Sequence, residues 1–245
     1  MNDLFSVEGK NVLITGGSGG IGSELVNGFI KAGAHVVSFD KVPSTTNCEQ
    51  HVLIDLSNKQ DIEQVFAEYI ELHDRIDVLI NCAAVTIPNV SVMYPLESWD
   101  STMNVTLNSV FYMCRLTGLQ MRKQGTGGSI INFTSINAAQ AMPHNPAYAA
   151  AKAGVRHLTK SFAYDFGKYN IRVNNIGPGY TKTKMNTKSL SDPAAYQLRA
   201  DNSMLGRWAN PIEMVGPAIF LASDASSFVT GTDLWVDGGW LSKGM

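Results

Sequence analysis

Tyr148 and Lys152 stand four residues apart in the stretch AYAAAKAGV, whose spacing is helical. Positions i and i+4 lie on one face of a helix. A phenol with a pKa of about 10 is a poor base at neutral pH, and a neighbouring ammonium favours its ionised form. The pair therefore reads as proton-transfer chemistry, with Tyr148 as acid/base and Lys152 as the cation that lowers its pKa. Taken alone, the same two residues describe an ordinary helix surface. Ser135 ends an apolar run thirteen residues before Tyr148. At the carboxyl end of a strand its hydroxyl would bond a substrate oxygen and stabilise charge growing there; alone, it is a strand-end cap.

A second group of residues points to a dinucleotide. TGGSGGIG (15–22) follows an apolar run and opens a helical pattern, with Gly16, Gly20 and Gly22 in G-x-x-x-G-x-G spacing around Ser18 and Ile21. Glycine lets the turn tighten and the backbone approach a pyrophosphate, which rests on the free N–H groups of the helix N-terminus. Asp40 closes the next apolar run, roughly 20 residues after the glycines, where a carboxylate accepts hydrogen bonds from ribose hydroxyls. A 2′-phosphate would meet its charge, so NAD is expected over NADP, with Lys41 able to soften that preference. Asp55 and Leu56 follow a third run, at the expected adenine edge, and Asn81, Cys82, Ala83 and Ala84 follow a fourth.

These residues need a scaffold that brings strand ends together. Runs at 11–15, 35–39, 51–55, 77–81, 127–135, 171–176 and 233–237 read as strands. Between them, helical spacing covers 20–33, 58–73 with Ser57 as N-cap, 99–124, 146–169 and 211–223. Regular alternation implies a doubly wound α/β fold: a seven-stranded, mostly parallel sheet with helices on both faces. No linker or composition shift interrupts it, so one domain over 1–245 is expected. The stretch 179–210 breaks the rhythm and reads as an irregular substrate lid.

With TGGSGGIG, Asp40, Asp55-Leu56, NCAA (81–84), Asn104, Ser135, Tyr148-x-x-x-Lys152, PGYTKT (178–183) and VDGG (236–239) in order, the chain resembles the short-chain dehydrogenase/reductase family along nearly its whole length. The resemblance implies a Rossmann-type domain and an NAD(P)-dependent exchange between a secondary alcohol and a ketone. It implies a catalytic set of Asn104, Ser135, Tyr148 and Lys152. Lys152 would also bind the nicotinamide ribose, and Asn104 would help hold a water linking Lys152 to solvent. Ile21 would pack on the nicotinamide ring, with Pro178, Gly179, Thr181 and Thr183 beside the carboxamide or phosphates. Two positions depart from the family pattern: Ala84 replaces a glycine, and Lys184 stands where proline is common.

For the substrate, Gln140, His144 and Asn145 join Ser135 and Tyr148, with Thr86 and Ile87 nearby. That mixture suits a polar, hydroxylated molecule. Lys182, Lys184 and Lys188 would attract a carboxylate or phosphate, or are simply solvated. The tail 206–241 is similar to those of family members acting on sugars, polyols and sugar acids. It is also similar to those of 3-oxoacyl-carrier-protein reductases, which mostly use NADPH and would need a basic docking patch. A non-catalytic redox sensor or scaffold is the alternative of another class, and the complete four-residue set argues against it.

The 245 residues carry a formal charge of −2, which disfavours broad attraction to nucleic acid or anionic membrane. No apolar run approaches the length of a bilayer span. Cys48, Cys82 and Cys114 match no zinc spacing and read as buried free thiols; with no secretory leader pattern, a cytoplasmic location is expected. The resemblance also implies a homotetramer built through the helices at 99–124 and 146–169.

Overall fold

A computed structural model describes residues 4–44 and 46–243. Strands β1 (Asn11–Thr15), β2 (His35–Asp40), β3 (Gln50–Leu53), β4 (Val78–Asn81), β5 (Gly128–Phe133), β6 (Ile171–Pro178) and β7 (Asp233–Val236) form one sheet. Its order is β3-β2-β1-β4-β5-β6-β7, and every adjacent pair is parallel. The order reverses between β1 and β4, which opens the ligand crevice of such sheets above their carboxyl ends.

The strands read as continuous apolar runs because both faces are covered. Val12 and Ile14 face one core with α1 (Gly20–Lys31) and α8 (Val215–Ala222), while Leu13 faces the other. That second core is filled from α2 (Lys59–His73), α4 (Ser109–Gln124) and α5 (Pro146–Phe166). Fully burying one such side chain stabilises the fold by about 1.5–3 kcal/mol.

The expected helix at 99–124 is instead α3 (Leu96–Met103), a π-turn (Asn104–Asn108) and then α4. The residue that starts the wide turn is Asn104. The segment 179–210 is not irregular. It holds a short 3-10 turn (Lys184–Asn186), α6 (Thr187–Leu190) and α7 (Pro193–Asn202), whose N-cap Asp192 accepts from Ala194 and Ala195 N–H. Trp208 is its anchor, fully buried and stacked on Tyr196 at 5.4 Å, with its Nε1 donating to the Tyr196 carbonyl. The cap of α2 is Asn58, which accepts from Gln60 N–H, rather than Ser57. The Ser57 hydroxyl donates to Asp55 instead. The third strand stops at Leu53, so Asp55 lies in the loop beyond it.

A polar ladder fixes α5 to the sheet. Asn81 Nδ2 donates to Asn132 Oδ1 (2.8 Å), Asn132 Nδ2 to Thr159 (2.8 Å), and Thr159 to Asn175 Oδ1 (2.6 Å). Asn175 Nδ2 then donates to Asp233, which also takes Arg156 Nε at 2.7 Å. Each rung satisfies a group that would be costly to bury alone.

Candidate active site

Helix α5 carries the central pair. Pro146 sits in its first turn, Ala147 and Ala151 are buried against the sheet side, and the slim alanine surface leaves Tyr148 at the cleft. Lys152 is fully buried. Its Nζ donates to the Phe133 carbonyl at 2.5 Å and lies 5.7 Å from the centre of the Tyr148 ring. The Ser135 side chain hydrogen-bonds the half-buried phenol. The same hydroxyl accepts from Asn137 N–H, so the strand-end cap and the site residue are one group. Asn104 opens the π-turn packed against α5, where Gly154 makes room for Leu107, and its Oδ1 accepts from Asn108 Nδ2 at 2.9 Å.

The electrostatics correct one expectation. Burial pushes the Tyr148 phenol up to about 12; the Ser135 bond opposes this and the Cys82 thiol adds to it. Burial also pushes Lys152 down to about 8. The ammonium therefore does not by itself bring the phenol toward neutrality, because desolvation of both groups outweighs their proximity. Cys82 sits in this electrostatic neighbourhood, and burial raises its own thiol to about 12.

The glycine loop fits a dinucleotide. Helix α1 starts at Gly20 with no side-chain cap, leaving first-turn N–H groups for a ligand. Gly16 has a left-handed φ of 75°, and a Cβ there would lie 2.7 Å from the Ala83 backbone. A Cβ on Gly20 would strike Thr183, so the start of the 180–210 segment lies directly over the loop. Asp40 Oδ2 accepts from Ser18 N–H at 2.9 Å, which sets the carboxylate beside the loop, with acceptor capacity left for hydroxyls. Asp55 lines a cavity of about 560 Å³ with Lys41 and Gln64, and its bonds from Ser57 hold its carboxyl below the usual range. Ala84 has no left-handed φ, so alanine is accommodated in place of glycine.

Other expected side chains are committed elsewhere. Leu56 is packed in the core. Asn81 is buried, with its amide on Asn132 and Cys114. Thr181 is buried, with its hydroxyl on the Gly179 carbonyl. For these, only the backbone remains for a cofactor. Gln140 accepts from Trp240 Nε1 at 2.9 Å, which joins the tail to the substrate side of the cleft, where Trp240 also packs on Tyr180. His144 is exposed with φ at 62°. Cys114 is buried, whereas Cys48 and Cys82 are half-buried. Asn132, Thr159, Asn175 and Asp233 escape a motif-based reading. Asn132 and Asn175 are signalled by composition, as asparagines inside the otherwise apolar runs SIINF and RVNNI; Thr159 and Asp233 carry no such signal.

Among the described residues no helix is long and apolar enough to cross a membrane, and no group of side chains could hold a metal. A family model described as enoyl-(acyl carrier protein) reductase matches residues 16–241. The chain is 37% identical to a 2-dehydro-3-deoxy-D-gluconate 5-dehydrogenase of Bacillus subtilis, covering 99% of both chains. It is 34% identical to an NAD-dependent glycerol dehydrogenase of Listeria innocua, covering 98% of this chain and 96% of that one. A solved gluconate 5-dehydrogenase of Burkholderia cenocepacia, in complex with NADP and tartrate, superposes with a TM-score of 0.93. It shares 32% identity and covers 99% of each chain.

Proposed function

The chain belongs to the short-chain dehydrogenase/reductase family of NAD(P)-dependent oxidoreductases, and from that premise we propose that it oxidises a secondary alcohol of a sugar, polyol or sugar acid, or reduces the matching ketone. The observation that carries this is the convergence of Ser135, Tyr148 and Lys152 beside the uncapped glycine loop. Bound, the dinucleotide supplies the hydride acceptor or donor, and its oxidised ring carries positive charge. Gly16, Ser18, Gly20 and Gly22 would form the loop under the phosphates, Ile21 would pack on the nicotinamide ring, and Asp40 would take the ribose hydroxyls and favour NAD. The backbones of Leu56, Asn81, Ala83, Pro178, Gly179 and Thr181, with Thr183 and Asp55, would complete the groove.

In the oxidative direction Tyr148 removes the alcohol proton while Ser135 bonds the same oxygen and stabilises its growing charge. In reverse Tyr148 returns the proton to the carbonyl oxygen. Lys152 would hold the nicotinamide ribose and pass the proton onward, and Asn104 would fix the relay at the π-turn. Gln140, His144 and Asn145 face the rest of the substrate. Segment 180–210 acts as the lid of a single domain.

We further propose a cytoplasmic homotetramer. Phe111 and Leu119 of α4 and Tyr164 of α5 are exposed, with Tyr164 at 89%, as expected of helices that bury one another between copies. A 340 nm screen with NAD(H) and NADP(H) against polyols, sugars, sugar acids and acyl thioesters tests the reading. Turnover of hydroxylated substrates with NAD supports it. Exclusive reduction of acyl thioesters with NADPH would replace it by the acyl reductase alternative, and cofactor binding without turnover by the sensor.

A further inference from the structure

Two stretches border the expected adenosine half of the dinucleotide, the glycine loop 16–20 and the stretch 41–44 that leaves β2. Asp40 is hydrogen-bonded to both. Its Oδ2 accepts from Ser18 N–H (2.9 Å) and its Oδ1 from Val42 N–H (3.3 Å). The two stretches also meet directly, since the Ser18 hydroxyl donates to the Val42 carbonyl at 3.3 Å. A carboxylate held from both sides by backbone donors has one setting, and the choice between a ribose hydroxyl and a 2′-phosphate depends on it.

Beneath this ring of bonds lies a residue outside the motifs that point to a cofactor. His51, half-buried on the edge strand β3, pairs in register with Ser38 of β2. Val36 lies in the core beside α1, and Ser38, two residues on, shares that face, fully buried where an apolar side chain would be ordinary. The Ser38 Oγ is 3.2 Å from His51 Nδ1, and His51 Nε2 is 2.8 Å from the Val42 carbonyl. A carbonyl only accepts, so Nε2 carries the hydrogen, and Nδ1 of the neutral ring accepts from the Ser38 hydroxyl. The chain therefore runs one way, from Ser38 through the imidazole to Val42.

Both ends of the chain bear on the cofactor groove. A Cβ on Gly17 would strike the Ser38 Oγ, so the glycine loop rests on that hydroxyl. Val42 lies beyond the end of β2 and is exposed, and among the described residues no backbone–backbone bond fixes it. Its carbonyl is held by the imidazole and the Ser18 hydroxyl instead. A buried polar pair is thus spent on the placement of one exposed peptide, the peptide next to Asp40.

We propose that His51 is a positioning residue for cofactor choice: by holding the Val42 carbonyl it fixes the Asp40 carboxylate against the glycine loop, so that a free 2′-hydroxyl is accepted and a 2′-phosphate refused. This rests on the dinucleotide-binding part of the reading above. Released, the stretch 41–44 lets the carboxylate turn away and brings exposed Lys41 within reach of a phosphate. The test is calorimetric binding of NAD and of NADP, without turnover, to the wild type and to His51→Leu, His51→Asn and His51→Gln, each also made in an Asp40→Gly background. Asparagine is too short to reach Val42, whereas glutamine places an amide N–H there. The ratio of the NADP Kd to the NAD Kd should fall about fivefold or more in His51→Leu and His51→Asn, and stay within about twofold of wild type in His51→Gln. His51→Asn carries the test should His51→Leu unfold. In Asp40→Gly the same substitutions should leave the ratio unmoved, because a residue that acts through Asp40 has nothing left to position. Equal weakening of both dinucleotides, or a shift in the ratio that persists without Asp40, shows a merely structural part and overturns the assignment. A wild type that binds NAD without turnover sinks hydride transfer and leaves His51 decidable by calorimetry; one that binds neither dinucleotide sinks both.

Discussion

Lys152 is where burial and chemistry conflict. Its folded pKa is about 8 against 10.5 for the free side chain. Between those values the unfolded chain holds a proton that the folded chain has released, so this group makes stability rise with pH across that window. Below it, the buried ammonium costs about 3 kcal/mol, and loss of the bond to Phe133 recovers part of that when the group is removed. Lys152→Met should therefore raise Tm by roughly 2–6 °C at pH 7, by less at pH 10, and abolish turnover. Calorimetric scans at the two pH values check this, and a fall in Tm at pH 7 would contradict it. Asp40 makes a different forecast. Replacing it with glycine removes the like charge facing a 2′-phosphate, so kcat/KM for NADP should rise about tenfold or more while that for NAD falls. Unchanged discrimination would remove Asp40 from cofactor choice.

At the scale of elements, α5 is the part that must not shift, and the ladder from Asn81 to Asp233 holds it. Asn132→Leu removes the oxygen acceptor of the Asn81 amide and the donor to the Thr159 hydroxyl, leaving Asn81 only the weak Cys114 sulfur and Thr159 only Asn175. Urea unfolding should show a loss of about 2–4 kcal/mol, with reduced kcat. A neutral effect would mean that the ladder is ornamental. This is also where sequence reading reached its limit. The strand–helix alternation, the glycine loop and the Tyr148–Lys152 spacing were legible because each rests on local periodicity. Trp208 and the capped α7 fall inside the stretch 179–210 that reads as irregular, because the short helices there lack a long apolar period and only the local Asp192-Pro193 cap marks them. The break at Asn104 was invisible because a π-turn keeps a helical pattern while inserting one residue into the winding. Motif position points Asn81 and Thr181 to the cofactor, but their side chains answer to buried hydrogen bonds, which only the packed structure sets. The rise in the phenol's pKa likewise depends on burial, which residue spacing does not report.

For the whole molecule, exposed Phe111, Leu119 and Tyr164 fit the proposed homotetramer, for which light scattering should give the mass of four chains. Phe111→Glu should shift the distribution toward smaller species, and a monodisperse monomer in the wild type would contradict the proposal. The central claim concerns the enzyme loaded with cofactor: one phenol carries the proton while hydride moves between substrate and nicotinamide. Tyr148→Phe changes that single oxygen and leaves the ring in place. Its kcat on the best substrate should fall by about 10²–10⁴ with the Kd for NAD within a few-fold of wild type. Turnover close to wild type in that variant, with NAD still bound, would contradict the account directly.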